Sequence, residues 1–189
     1  MNSVLIVSSS NKSVENLSQL LNSNGSYEIY SANSSSEARR LINNSDYDLV
    51  IINTPLPDEF GNNLAVTITE ISASGIILIV KSEVADDVSA KVDDYGVLVV
   101  PKPIIRQFFF QALKLSLASK KRILGLKSEN IHLQEKIEEI RTVTRAKCIL
   151  IQYLNMTESQ AHRYIEKQAM DLRETRLQVA INILKTYES

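Results

Sequence analysis

Short runs of consecutive aliphatic residues alternate with helical periodicities through the front of the chain. Val4–Val7 (VLIV), Leu49–Ile52 (LVII), Ile76–Val80 (IILIV) and Val97–Val100 (VLVV) contain no polar position that could face water. That is the pattern of strands buried on both sides. Tyr27–Tyr30 is a weaker fifth candidate. Between the runs lie apolar positions at helical spacing: Val14, Leu17 and Leu20–Leu21; Ala38, Leu41 and Ile42; Leu64, Ile68 and Ile71; and a last set from Ile104. Strand and helix alternate five times, which predicts an α/β fold: a doubly wound, five-stranded parallel sheet with right-handed crossovers and helices on both faces. Such a sheet places its site at the carboxyl ends of the strands, here near Ser8–Ser9, Asn53, Lys81–Ser82 and Lys102.

From Ile104 no proline or clear turn signal occurs until Leu154–Thr157, and Gly125 is the only glycine, so the last helix of the front half is expected to run on. Ile123, Leu126, Asn130, Leu133, Ile137 and Ile140 occupy successive a and d positions of a heptad, which predicts a two-stranded coiled coil. Asn130 at an a position favours a parallel, in-register pair, because a buried Asn bonds best to its own symmetry mate. Leu124 and Ile131 fall outside that seam, so a helix lying on its own domain is the competing expectation. Beyond it, Ala146–Arg176 reads as two helices broken at Leu154–Thr157, with a third starting near Thr175. Val143, Ala146, Ile149, Leu150, Tyr153 and Leu154 form one stripe, and Ala161, Ile165, Ala169 and Leu172 the facing one. Thr157 with Gln160 three residues later is a capping-box signature.

Charge changes the picture more than composition does. The 189 residues are 44% hydrophobic and 23% charged, ordinary for a globular chain that builds one good core or two small ones. The net charge of −1 conceals an asymmetry, since residues 1–118 hold 8 Lys and Arg against 13 Asp and Glu, and residues 119–189 hold 13 against 9. A basic rear half suits a polyanion, although a solvated surface explains it equally well. The N-terminal run is too short for a membrane span and lacks a basic lead, so a cytoplasmic protein is expected, with no membrane partner. Cys148 is the single cysteine, and His132 and His162 stand 30 residues apart without clustered acids. No metal set, cofactor or catalytic constellation is therefore expected.

The run RAKCILIQYLNMTESQAHRYIEKQAMDLR resembles the ANTAR domain, an RNA-binding module of bacterial antiterminators. The resemblance rests on Ala146–Lys147 with Ile149–Leu150, on Thr157–Glu158, on Ala161, and on Ala169–Met170, and extends over roughly residues 130–188. Residues 1–118 resemble the receiver (flavodoxin-like) domain of response regulators, through VLIV before residue 8, DLVIINTPLPDEFG (Asp48–Gly61), and Val100–Pro101–Lys102–Pro103. That likeness implies a cis bond before Pro103. In the family, two acids after the first strand hold Mg²⁺, an aspartate ending the third strand takes the phosphoryl group, and a Thr or Ser ending the fourth senses it. Here the corresponding positions read Ser8, Ser9, Asn53 and, by alignment, Val80, and only Lys102 matches. Mg²⁺ wants carboxylates, and an amide is not a carboxylate nucleophile, so a pseudo-receiver is expected. Asp58 and Glu59 lie in a loop where acids are ordinarily solvated, and Lys102 is expected to tether to Asn53 or to nearby carbonyls.

The expected organisation is a pseudo-receiver over 1–118, a coiled-coil linker over 119–141 and a three-helix all-α RNA-binding domain over 142–189. RNA binding needs cations for phosphates, planar or amide groups for bases, and small residues for close approach. Arg145, Ala146, Lys147, Arg163, Lys167, Gln168, Arg173 and Arg176 are the expected contacts, with Tyr164 and Met170 more ordinarily core. The resemblance implies binding to paired stem-loops in leader transcripts, and the heptad a homodimer that engages two of them. No enzyme is expected, and with the phosphoryl chemistry lost the dimer is expected to be constitutive or set by a protein regulator at the receiver-like half. The alternatives are a DNA-binding response regulator and a protein-protein scaffold.

Overall fold

The structure, a computed structural model, describes residues 2–187. The chain divides into two compact units, Met1–Gly125 and Leu126–Ser189.

In the first unit every apolar run becomes a strand: β1 (Asn2–Ser8), β2 (Tyr27–Ala32), β3 (Leu49–Asn53), β4 (Gly75–Lys81) and β5 (Leu98–Lys102), all parallel in the order β2-β1-β3-β4-β5. Helices α1 (Asn11–Asn22), α2 (Ser35–Asn44), α3 (Asn62–Ile71), α4 (Ala85–Val92) and α5 (Arg106–Leu154) follow the strands in turn. Pro101 lacks a donor for a ladder, and β5 is an edge strand, where that lack is tolerated. Period-2 alternation sorts the strand residues between two cores. Val4, Ile6, Leu49, Ile51, Ile77, Ile79 and Val100 pack with Leu17 and Leu21 of α1 and with Phe109 and Leu113 of α5. Leu5, Val7, Val50, Ile52, Leu78 and Val80 pack against α2, α3 and α4.

Some expectations about the helices need correction. The run from Ile104 begins its helix at Arg106. Ile71, placed in the α3 stripe, is half exposed at the last position of its helix. Of the three consecutive phenylalanines, Phe109 is buried, Phe110 packs partly on the same core and Phe108 is 56% exposed.

Two devices seat the start of α5 on the sheet. Gly75 opens β4 where a Cβ would lie 2.8 Å from both Cβ and O of Ser116, so no larger residue fits without moving the α5 backbone. Lys120 then reaches the opposite end of the sheet from the candidate site. Its Nζ donates to the Tyr47 carbonyl at 2.9 Å and to Asp48 Oδ1 at 2.8 Å. The other Asp48 oxygen accepts the Ser3 backbone N–H at 2.8 Å. Burial alone would raise the Asp48 pKa, but the Lys120 bond and the Ser3 N–H outweigh it and leave it lowered.

The second unit contains α5 from Leu126 onward, α6 (Glu158–Leu172) and α7 (Arg176–Tyr187). Its core is Ala146, Leu150, Ala161, Ile165, Ala169, Val179, Ala180 and Ile183, with Val143 and Ile149 partly buried against it. Alanine at the contact points keeps the helix surfaces low, so the axes can approach closely. Tyr153, Leu154 and Leu172, expected in the facing stripes, are instead about half exposed. Val179, Ala180 and Ile183 of α7 supply the missing wall. The break falls where expected: Thr157 Oγ1 accepts the Gln160 N–H at 3.3 Å, and Gln160 Oε1 accepts the Thr157 N–H at 2.8 Å, closing the capping box. Thr175 Oγ1 accepts the Gln178 N–H at 3.1 Å and starts α7. Arg173 ends α6 with φ +56°, a left-handed cap position usually given to glycine.

Candidate functional site

At the carboxyl end of the sheet, register brings Ser8 opposite Asn53 and Lys81 opposite Lys102. Asn53 Nδ2 donates to Ser8 Oγ at 3.0 Å. Ser8 is fully buried, whereas the Ser9 hydroxyl is exposed and lies 3.5 Å from the Pro55 carbonyl. Lys102 Nζ donates to the Thr54 carbonyl at 2.6 Å, the carbonyl tether expected of it. The Lys102–Pro103 bond is cis, as the receiver likeness implied, and so is Thr54–Pro55, which the sequence did not announce. Burial and the neighbouring Lys81 charge together lower the Lys102 pKa.

Val80 does not join this group. Its side chain is buried in the core under α2, α3 and α4, on the other face of the sheet. The alternation of β4 puts Lys81, with Ile77 and Ile79, on the face that Asn53 and Ser8 share. The position expected to hold a phosphate-sensing hydroxyl is thus a lysine. Ser82 turns away, its hydroxyl donating to the Lys102 carbonyl at 2.5 Å.

The Mg²⁺ that the receiver likeness implies does not fit these donors. A hard cation needs carboxylate oxygen, and the nearest side chains are two hydroxyls, an amide whose N–H₂ is directed at Ser8, and ammonium groups. Asp58 and Glu59 do not make up the loss, because α2 engages them. Asp58 accepts the backbone N–H groups of Ser35 at 2.9 Å and Ser36 at 3.0 Å, and both hydroxyls as well. Those amides hold its carboxyl well below the usual carboxylate range. Glu59 pairs with Arg39 at 3.0 Å. Loop acids expected to be solvated instead fasten the β3–α3 loop to the start of α2. Among the described residues no cluster of His, Cys, Asp and Glu could hold a metal ion.

Along α5 the six heptad residues Ile123, Leu126, Asn130, Leu133, Ile137 and Ile140 are all exposed, as are Leu124 and Ile131. No described helix is long and apolar enough to cross a membrane.

In the second unit the expected RNA contacts divide by their partners. Ala146 has no exposure at all, so it serves the core and cannot face a ligand. Lys147 Nζ lies 2.6 Å from Glu158 Oε1, bridging α5 to the first turn of α6, and the lysine bond holds the Glu158 pKa down. Arg176 Nη1 approaches Glu166 at 3.8 Å, and His162 Nε2 approaches the same oxygen at 3.3 Å. Arg163 and Lys167, one helical turn apart on α6, and Arg173 at its cap are exposed and form no ion pair among the described residues. Arg145 is exposed on α5. Gln168 is half-buried and lines a cleft of about 240 Å³ with Tyr164, Leu172 and Asn182.

Two family models match this chain. Residues 4–114 match the response regulator receiver domain, and residues 132–184 match the ANTAR domain. The transcriptional regulatory protein PdtaR of Mycobacterium tuberculosis strain H37Rv is 28% identical over 170 residues, covering 90% of this chain and 83% of PdtaR. Among solved structures, the signal receiver domain of an HD domain-containing protein from Pseudomonas fluorescens Pf-5 superposes with a TM-score of 0.59 at 24% identity, over 66% of this chain and 92% of that one. A response regulator receiver domain protein from Clostridium thermocellum gives 0.59 at 21% identity, over 65% and 99%. The chain is thus a member of the response regulator receiver family that carries a C-terminal ANTAR domain.

Proposed function

We propose that this response regulator is an antiterminator that binds hairpins in nascent leader transcripts as a homodimer, with a receiver half that does not work through an aspartyl phosphate. ANTAR domains are RNA-binding, and the observation that carries the reading is the α6 surface: Arg163, Lys167 and Arg173 exposed without carboxylate partners among the described residues. Cations already neutralised within a fold contribute little to a polyanion, whereas unneutralised ones release counterions from it. We assign phosphate contacts to Arg163, Lys167 and Arg173, and base contacts to Gln168; Arg145 joins them on its exposure alone. Lys147 and Arg176 support the surface through Glu158 and Glu166.

The apolar seam of residues 123–140 supports dimerisation. Five half-exposed Ile and Leu side chains at heptad spacing on a helix are what a second copy would cover, and the exposed Asn130 fixes the register. Residues 119–141 would be the stalk between a receiver half and an RNA-binding half. The lack of any carboxylate at Ser8, Ser9 and Asn53 supports phosphate independence, since neither the nucleophile nor the metal ligands of the family mechanism are present. Dimerisation would then be constitutive or set by a ligand or protein at the receiver half.

The test is a mobility-shift titration of the full chain against hairpin RNA and duplex DNA of matched length and salt. Tighter binding to hairpin RNA is expected. Preference for duplex DNA would replace this reading with that of a DNA-binding regulator, and binding to neither would favour a scaffold.

A further inference from the structure

The strand-end pocket opens at Asn53 and Lys102 into a cleft of about 470 Å³ that the proposed RNA function does not use. It sits between α1 and the segment joining β5 to α5, within the size range of small-molecule sites. Ser13 and Asn16 of α1 form one wall, and Asn53, Lys102 and Arg106 the other. Leu20 and Ile104 give it an apolar side. No carboxylate lines it.

The charge on that wall is of one sign. Lys102 is half-buried, and its ammonium donates to a neutral carbonyl. Arg106 Nη2 donates at 2.8 Å to a neutral hydroxyl, Ser23 Oγ. Lys81 adds a third positive charge close enough to depress the Lys102 pKa. Where the receiver family places three acids against one lysine, this chain has collected cations with no counter-ion among the described residues. A partly desolvated cation without a counter-charge attracts an anion more strongly than a surface lysine does, because screening is weaker there. Arg106 supplies the planar fork that suits phosphate or carboxylate oxygens. The Asn16 amide and the Ser13 hydroxyl supply neutral donors around it.

We infer that this cleft binds a small organic anion, a phosphate or carboxylate carried on an apolar body of mononucleotide size, with Lys102 and Arg106 on the charged end and Leu20 and Ile104 on the body. Arg106 is the first residue of α5, so the ligand bears directly on the start of that helix. The site is independent of RNA recognition and would exist even if the second unit bound something else.

The experiment is an amide-resolved NMR titration of the full chain with adenosine monophosphate, phenylpyruvate, inorganic phosphate and uncharged adenosine, repeated on Arg106→Gln. Arg106 is exposed and donates to a surface serine, so the variant should keep its fold, which its unperturbed spectrum would confirm. Shifts should centre on Ser13, Asn16, Asn53 and Ile104 with the monophosphate or with phenylpyruvate, the two arms separating phosphate from carboxylate ligands. Adenosine and the Arg106→Gln variant should each weaken binding by about tenfold or more, the loss of one charge-assisted contact. The inference is overturned if neither organic anion moves those amides, if adenosine binds as well as its monophosphate, or if Arg106→Gln leaves affinity unchanged.

Discussion

Replacing Arg163 and Lys167 together by Ala tests the difference between neutralised and unneutralised cations on the RNA-binding half. Each phosphate contact contributes about 0.7–0.9 to the slope of log affinity against log salt. Two contacts removed should therefore lower that slope by about 1.4–1.8. Between 50 and 200 mM salt that corresponds to roughly a tenfold difference in how steeply wild type and variant lose affinity. Neither side chain takes part in the second unit's core, so the unfolding midpoint should stay put. Lys147→Ala is the contrast. It removes the bridge to Glu158 at 2.6 Å and should lower the thermal midpoint, with a much smaller change in slope. Because Glu158 is held below its usual pKa, the stabilisation it gains from Lys147 is present above the unfolded carboxylate pKa and fades as pH falls through the folded one. The midpoint difference between wild type and Lys147→Ala should therefore shrink in acid. Fluorescence anisotropy with labelled hairpin across a salt series, and calorimetry across pH, read both quantities. If Lys147→Ala changes the slope as much as the double variant does while the melting curve is unaltered, the assignment by partners is wrong.

The receiver half gives further checks. Lys120→Met leaves the Tyr47 carbonyl and Asp48 Oδ1 without their shared ammonium, and urea unfolding should show a loss of about 1–3 kcal/mol. Since the Asp48 pKa is lowered in the folded state, that loss should diminish as pH drops through it. Gly75→Ala forces a Cβ to within 2.8 Å of Ser116 and should cost at least about 1–3 kcal/mol, read as a shifted denaturation midpoint with an unchanged m-value. Asn53→Asp alone should gain no phosphoryl mass from acetyl phosphate and Mg²⁺, because Ser8 and Ser9 still offer no metal ligand. Covalent phosphorylation of that single variant, or of wild type near residue 53, would overturn the view of the pocket as metal-free.

Most of the fold was legible because buried parallel strands cannot hide: VLIV, LVII, IILIV and VLVV have nowhere to go but a sheet core. The break between α5 and α6 was equally plain, since Thr157 and Gln160 form a local bond pattern that needs no tertiary information. What failed were judgements that depend on a neighbour. Helix α4, for which no periodic set was expected, spans eight residues from Ala85 with Asp86 and Asp87 in its first turn, too short and too polar at its start to show a period. Val80 ends an apolar run, but which face a strand residue takes is decided by register, and register with β5 hands the pocket position to Lys81. Ala146 looked like a low contact surface and is one, for α6 rather than for RNA. The pairing of Lys147 with Glu158, like that of Asp58 with Ser35 and Ser36, spans a turn or a crossover that the linear sequence does not measure. Arg163 and Lys167 needed no neighbour, and their expected exposure held.

The central claim is that paired modules grip folded RNA without a phosphorylated receiver. Its most direct test is the affinity of the unphosphorylated chain for an RNA with two hairpins in tandem, against either hairpin alone, with the mass of the complex followed by light scattering. The account expects a dimer on the tandem RNA that binds about a hundredfold or more tighter than on one hairpin, the gain that effective concentration gives two linked sites. A single chain per RNA, with equal affinity for one hairpin and for two, would contradict it.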